Sequence, residues 1–78
     1  MDKMFERVSG VLTIICGVPA DRIRPDVALP DLNLDSLALI EVALGLQKEF
    51  EVEVDEDRVA GASSVAELVT IVRQAVAG

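Results

Sequence analysis

PDLNLDSLALIE, residues 30–41, decides how this chain is read. An extended, acidic approach carrying Asp31, Asn33 and Asp35 runs into Ser36, and from there the chain turns almost wholly apolar. Good helix formers continue without proline to Phe50, so the sequence predicts a helix over 36–50 with Ser36 at its head. Asp31-Leu-Asn33-Leu-Asp35 matches the first half of a calcium loop. That loop then needs glycine at its sixth position and a bidentate glutamate at its twelfth, and Ser36 and Val42 stand there instead. Asp35 is a good cap for the helix, because a side-chain oxygen at that position accepts an orphan backbone N–H. No reciprocal capping box involves Ser36, since Leu39 stands three residues on. The serine is left spare.

A nucleophilic serine needs a base to take its proton, and the chain contains no histidine. Its one thiol, Cys16, lies among apolar neighbours and reads as core filler, and Glu53 and Asp55 lie in a solvated run with no apolar pocket to raise a pKa. Chemistry at Ser36 must therefore come from another protein. A helix N-terminus suits a phosphate, through its unpaired N–H groups and the positive end of its dipole. The serine is in the right place for a phosphate-linked attachment.

The 78 residues are enough for one core and too few for two, so one domain over 1–78 is expected. A lone cysteine without histidine excludes an internal disulfide and a structural zinc site, and an unpaired thiol fits a reducing compartment. No stretch has the length of a membrane span and the N-terminus lacks a signal-peptide core, which together predict a cytoplasmic protein with no membrane partner. The formal charge is −7, and residues 26–57 hold ten acidic groups against Lys48 alone. Such a field repels nucleic acid and favours basic protein surfaces; its plainer reading is a solvated face.

Around the central helix, Phe5, Val8, Leu12 and Ile15 form a stripe at helical spacing, predicting a helix over about 2–16 that stops at Gly17. Residues 17–35 contain three prolines and no helical period, and form a long loop with Val18, Ile23, Val27, Leu29, Leu32 and Leu34 as candidate anchors. On the 36–50 helix, Leu37, Ile40, Leu44 and Phe50 can cover one face while Leu39, Val42, Ala43 and Leu46 remain, so part of its apolar surface must be exposed. EVEVDED (51–57) alternates like a strand, but no second strand is evident to pair with it. An extended link with Val52 and Val54 inward is expected, then a short helix over about 56–61. Ser64-Val-Ala-Glu67 is a capping box opening a last helix over about 64–77, with Val65, Leu68, Val69, Val72 and Val76 inward. The predicted class is all-α, a small four-helix bundle with three main helices, one short helix and a long first loop.

DLNLDSLALIEVALGLQKEF resembles the attachment region of acyl carrier proteins, a short LGxDSL followed by an amphipathic helix. The resemblance continues through FEVEVDEDRV and SSVAELVTIV and covers essentially the whole chain. It implies a non-catalytic carrier whose Ser36 receives 4′-phosphopantetheine from coenzyme A, placed by a separate, magnesium-dependent phosphopantetheinyl transferase. The arm then holds acyl groups as thioesters for a ketosynthase, an acyltransferase and other synthase enzymes, and the chain itself is expected as a monomer. Asp35 and Leu37 would flank the serine as recognition residues, with Glu41 and Leu44 meeting partners further along the helix. Asn33 departs from the usual glycine, although both tolerate the left-handed backbone region. Ala38 stands where fatty-acid carriers usually have an acidic residue, and DSLALIE looks more like carriers of type II polyketide synthases. Fatty-acid and peptidyl or aminoacyl carriers are the alternatives within the family. An unmodified acidic helical interaction module is the alternative outside it.

Overall fold

The computed structural model describes residues 3–77; the expected start of the first helix at residue 2 lies outside the described residues. Four α-helices form, α1 (Lys3–Cys16), α2 (Ser36–Phe50), α3 (Glu56–Ala60) and α4 (Val65–Ala77), with no strand among the described residues. The all-α bundle expected from the sequence is the fold observed. No described helix is long and apolar enough to cross a membrane.

Helix α1 ends where Gly17 takes φ +70° and returns its N–H to the Thr13 carbonyl at 3.0 Å, a left-handed stop that costs glycine little. Phe5, Val8 and Leu12 are buried as their spacing predicted, with Val11 beside them. Ile15 is partly exposed instead, lying against Gly45 of α2 at the edge of the helix pair. Val76 likewise lies in the open last turn of α4, and Ile71 takes the inward position.

The long loop is more ordered than its lack of period suggested. Two short 3-10 turns, Ala20–Arg22 and Leu29–Leu32, punctuate it. Val18, Ile23, Leu29, Leu32 and Leu34 are buried and Val27 half-buried, so the anchors hold it against the core. Its backbone is also clipped to the start of α4: the Leu29 N–H donates to the Ser63 carbonyl at 3.0 Å, and the Val65 N–H to the Val27 carbonyl at 3.1 Å. Because these bonds satisfy buried backbone without a sheet, hydropathy alone could not show them.

Helix α2 touches each of the other three helices. Leu39, Val42, Ala43 and Leu46 face the core, which settles which of its two apolar faces is inside. The helices α1 and α2 run antiparallel along a seam that closes at Gly45. A Cβ there would lie 3.0 Å from Val11 Cγ1 and 3.1 Å from Ile15 Cγ1, so the bare backbone is what lets the two helices approach. At the far end of the seam Arg7 clasps the end of α2. Its guanidinium donates to Glu49 Oε2 at 3.0 Å and to the Glu49 carbonyl at 2.8 Å, and lies 4.3 Å over the Phe50 ring. The ion pair is half exposed, so the carbonyl bond and the ring contact matter as much as the charge.

Of the 51–57 segment, residues 51–55 form the link, with Val54 buried and Val52 half-buried, and the last two residues already belong to α3. Glu51 takes the left-handed conformation that ends α2 (φ 55°), and Gln47 Oε1 accepts the Val54 N–H at 3.1 Å. That bond supplies the partner a neighbouring strand would have offered. At the head of α4, Ser64 Oγ accepts the Glu67 N–H at 3.3 Å as a capping box requires. The return bond falls one residue earlier than predicted: the Glu67 carboxylate accepts the Ser63 N–H at 2.9 Å and the Ser63 hydroxyl at 2.8 Å. These two bonds hold the Glu67 carboxyl below its ordinary pKa.

The seam makes a direct prediction. Gly45→Val places a branched side chain where Val11 and Ile15 already sit, and should lower unfolding stability by about 1–3 kcal/mol through overpacking. Urea denaturation followed by circular dichroism measures it; an unchanged midpoint would show that α1 moves aside freely.

Candidate functional site

The site is built by the junction between the long loop and α2. Pro30 and the turn at Leu29–Leu32 bring the chain round, and Asn33 reverses it in the left-handed region (φ 61°, ψ 32°). A glycine is usual for such a turn, and asparagine is among the few other residues that tolerate it. Leu32 and Leu34 are driven into the core on either side of the reversal, which leaves Asn33 and Asp35 outside. Asp35 then adopts extended backbone and its Oδ1 accepts the Ala38 N–H at 2.8 Å, while its carbonyl accepts the Leu39 N–H at 2.9 Å. These are the two bonds of a helix N-cap.

Ser36 is therefore the first residue of α2, exposed, with no hydrogen bond from its hydroxyl among the described residues. The first-turn amides have no intrahelical acceptor, and the Asp35 side chain takes only that of Ala38. A phosphate ester on the Ser36 oxygen would meet the remaining N–H groups and the positive end of the α2 dipole. The residues present fit a phosphate-linked arm.

The calcium-loop trio is divided among separate tasks. Asp31 offers its carbonyl to the Arg22 guanidinium at 3.1 Å, Asn33 makes the reversal, and Asp35 caps α2. Among the described residues no group of three His, Cys, Asp or Glu side chains is placed to hold a metal ion.

Beyond Ser36 the outer face of α2 shows Leu37 at 69% exposure, Leu44 at 53% and Ile40 at 37%, with Glu41 exposed among them. Of the residues the sequence singled out, Ser36, Asp35, Leu37, Glu41 and Leu44 thus all lie on accessible surface around the first three turns of α2. Ile40 joins them. Its spacing from Leu37 and Leu44 was visible, but not that this was the outer face. Cys16 reaches the same end of the molecule. Burial raises its thiol pKa first, and the nearby carboxylates of Glu41 and Asp35 raise it further, so it is held in the poorly nucleophilic thiol form. A cleft of about 310 Å³ beside it is lined by Ile15, Gly17, Pro19, Leu34, Ala38 and Glu41 among others.

Residues 6–72 match the family model described as phosphopantetheine attachment site. The chain is 32% identical over 76 residues to the acyl carrier protein of Saccharopolyspora erythraea, covering 96% of this chain and 80% of that one. It is 26% identical over 73 residues to the acyl carrier protein of Thermobifida fusca, covering 92% of each. Its fold is shared with the solution structure of the 3,7-dioxo-octyl actinorhodin acyl carrier protein from Streptomyces coelicolor, at TM-score 0.71 and 23% identity over 95% of this chain and 86% of that one. A match spanning most of the chain, on a bundle of this architecture, places it in the phosphopantetheine-dependent acyl carrier protein family. The protein is accordingly a carrier of acyl groups on a covalently attached phosphopantetheine arm, and not a catalyst. Membership implies that it works with a phosphopantetheinyl transferase and with synthase enzymes.

The cap and the serine separate by mutation. Asp35→Ala removes the Ala38 partner and should cost about 1 kcal/mol of stability. Ser36→Ala removes a hydroxyl with no partner and should change stability by less than about 0.5 kcal/mol. Chemical denaturation of the two variants measures both; a larger loss for Ser36→Ala would make the serine a structural residue.

Proposed function

We propose that Ser36 is the attachment residue, and that its oxygen carries 4′-phosphopantetheine derived from coenzyme A. The observation that carries this reading is an exposed, unpartnered hydroxyl at the head of a helix whose cap is already supplied by Asp35. In the modification the serine oxygen forms a new bond to phosphorus, the phosphoanhydride of coenzyme A breaks, and the nucleotide half departs. The serine proton must leave to a base on the transferase, because no histidine exists in this chain and the thiol near the site is held protonated.

The partner surface we assign is the outer face of α2, with Leu37 and Leu44 as apolar contacts and Glu41 as the charge that pairs with a basic enzyme. Asp35 holds Ser36 in position and adds to the negative field there. A transferase that binds coenzyme A must itself be basic to hold the phosphates, so the charge signs agree. The apolar share of this face favours the polyketide branch of the family over the fatty-acid branch, since fewer salt bridges are available to partners that dock by charge. The ketosynthase and acyltransferase of such a system are the enzymes expected to meet it.

Incubation with coenzyme A and a broad-specificity phosphopantetheinyl transferase should raise the intact mass by one phosphopantetheine, and Ser36→Ala should abolish the gain. A folded, unmodified wild-type chain that keeps its mass refutes the assignment of Ser36 and favours an acidic interaction module. Glu41→Lys should raise the transferase KM for this carrier, with the larger effect at low salt where charges are least screened. A KM unaffected at every ionic strength removes Glu41 from the partner surface.

A further inference from the structure

The outer stripe of α2 carries charges of both signs. Leu37, Glu41, Leu44 and Lys48 succeed one another at helical spacing, so their side chains leave the helix along one line, and all four are exposed. Between residues 26 and 57, where ten acidic groups stand, Lys48 is the one basic group. Its neighbour Glu49 is already engaged, since Arg7 donates to that carboxylate at 3.0 Å. Lys48 itself enters no ion pair among the described residues. Helix rise puts it roughly 10 Å along α2 from Glu41. That exceeds the Debye length of about 8 Å at physiological salt, so a partner meets two separate poles and not a neutralised pair.

The positive pole adjoins an apolar cleft that crosses the α1–α2 seam. This cleft, of about 430 Å³, is lined by Val11, Ile14 and Ile15 of α1 and by Gly45, Lys48 and Glu49 of α2. Ile14 is 84% exposed and Ile15 41%, and Leu44, 53% exposed, precedes Gly45 on the opposite helix. A single exposed apolar side chain needs no explanation. A group of them from two helices, around one depression, marks a contact.

We propose that the partner surface of α2 continues across the seam onto α1, and that this extension receives a ketosynthase segment bearing an apolar side chain beside a carboxylate. The side chain enters the cleft between Ile14 and Gly45, and the carboxylate pairs with Lys48. The proposal rests on the assignment of the outer face of α2 as the partner surface. Charge sign selects the occupant. A segment that is basic throughout suits Asp35 and Glu41 but is repelled by Lys48. A segment with a cation and a carboxylate roughly 10 Å apart satisfies both poles. It does so in one direction only, because turning it round sets like charges together. Lys48 is thus a specificity-determining residue, which penalises enzymes that read carriers through basic groups alone. The transferase works at Ser36, roughly 18 Å along α2 from Lys48, and has no need to reach it. A second copy of the chain is the rival occupant, since two α2 helices laid antiparallel would set Glu41 against Lys48 twice. That pairing brings together two chains of formal charge −7 and covers the approach to Ser36.

The test titrates a purified type II polyketide ketosynthase into the phosphopantetheine-loaded chain and measures Kd for the wild type and three variants. Lys48→Glu should weaken binding several-fold, with the larger effect at low salt. The sign is what decides, because an enzyme surface that is basic throughout would bind the more acidic variant more tightly. Ile14→Ser should also weaken binding several-fold, and its denaturation midpoint should stay near that of the wild type, since the side chain is 84% exposed. Both variants should accept phosphopantetheine no more slowly than the wild type; slower loading would place them in the transferase contact and overturn the proposal. Equal or tighter binding by Lys48→Glu, unchanged binding by Ile14→Ser, or a wild-type chain that does not bind also overturns it. So does a concentration-dependent dimer in sedimentation that Ile14→Ser abolishes, which would give the cleft to a second copy. Glu41→Lys separates this proposal from the reading beneath it. If that variant alone weakens binding, the α2 face stands and its extension onto α1 falls; if none of the three has an effect, the face itself falls. A chain that gains no mass with the transferase refutes the Ser36 assignment, and the same titrations on the unloaded chain still decide the docking surface.

Discussion

The bond from the Ala38 N–H to the Asp35 carboxylate determines where α2 begins, and much of the molecule follows from that position. A helix turns through a fixed angle per residue, so its first residue sets the direction of every later side chain. Starting at Ser36 sends Leu39, Val42, Ala43 and Leu46 into the core and turns Leu37, Ile40 and Leu44 outward. It also leaves the serine hydroxyl unspent, because the task a serine most often performs at a helix start is done by its neighbour. One capping interaction thus orients the core, turns an apolar face outward and leaves the Ser36 hydroxyl free.

The α1–α2 seam supports that arrangement from the other side. Close approach at Gly45 and the Arg7 clasp on Glu49 and Phe50 align the two helices antiparallel, which brings the end of α1 back to the head of α2. Cys16 is therefore partly buried at that end and meets the field of Glu41 and Asp35 as well, and burial first and the carboxylates second push its thiol pKa up. The long loop closes the same end by burying leucines on both sides of Asn33 and clipping its backbone to α4.

The local chemistry at the head of α2 was more legible than its surroundings. Ser36 could be isolated by elimination, since the missing histidine, the broken calcium pattern and the sufficiency of Asp35 as a cap are all properties of residue types and spacing. Asn33 in the left-handed region was likewise readable, because few other residues accept that backbone. Val76 was read as inward and is exposed, and Ile15 shares a stripe with buried residues yet is partly exposed, since periodicity shows which face a residue occupies and not whether a neighbouring element covers it. The short turns within the long loop left no periodic trace, being too brief to repeat.

The helical class, the extent of α2, the segment that concentrates negative charge, and a serine left without a capping task at the head of α2 could all be read from the sequence. These follow from local propensity, capping chemistry and the inventory of side chains. Which of the two apolar faces of α2 is buried, how closely α1 lies against Gly45, and that Ser9 and Thr13 share a groove with exposed Ile14 were settled by the packing of the helices. Those depend on contacts between residues far apart in the chain, and an apolar residue in a pattern carries no record of what, if anything, will cover it.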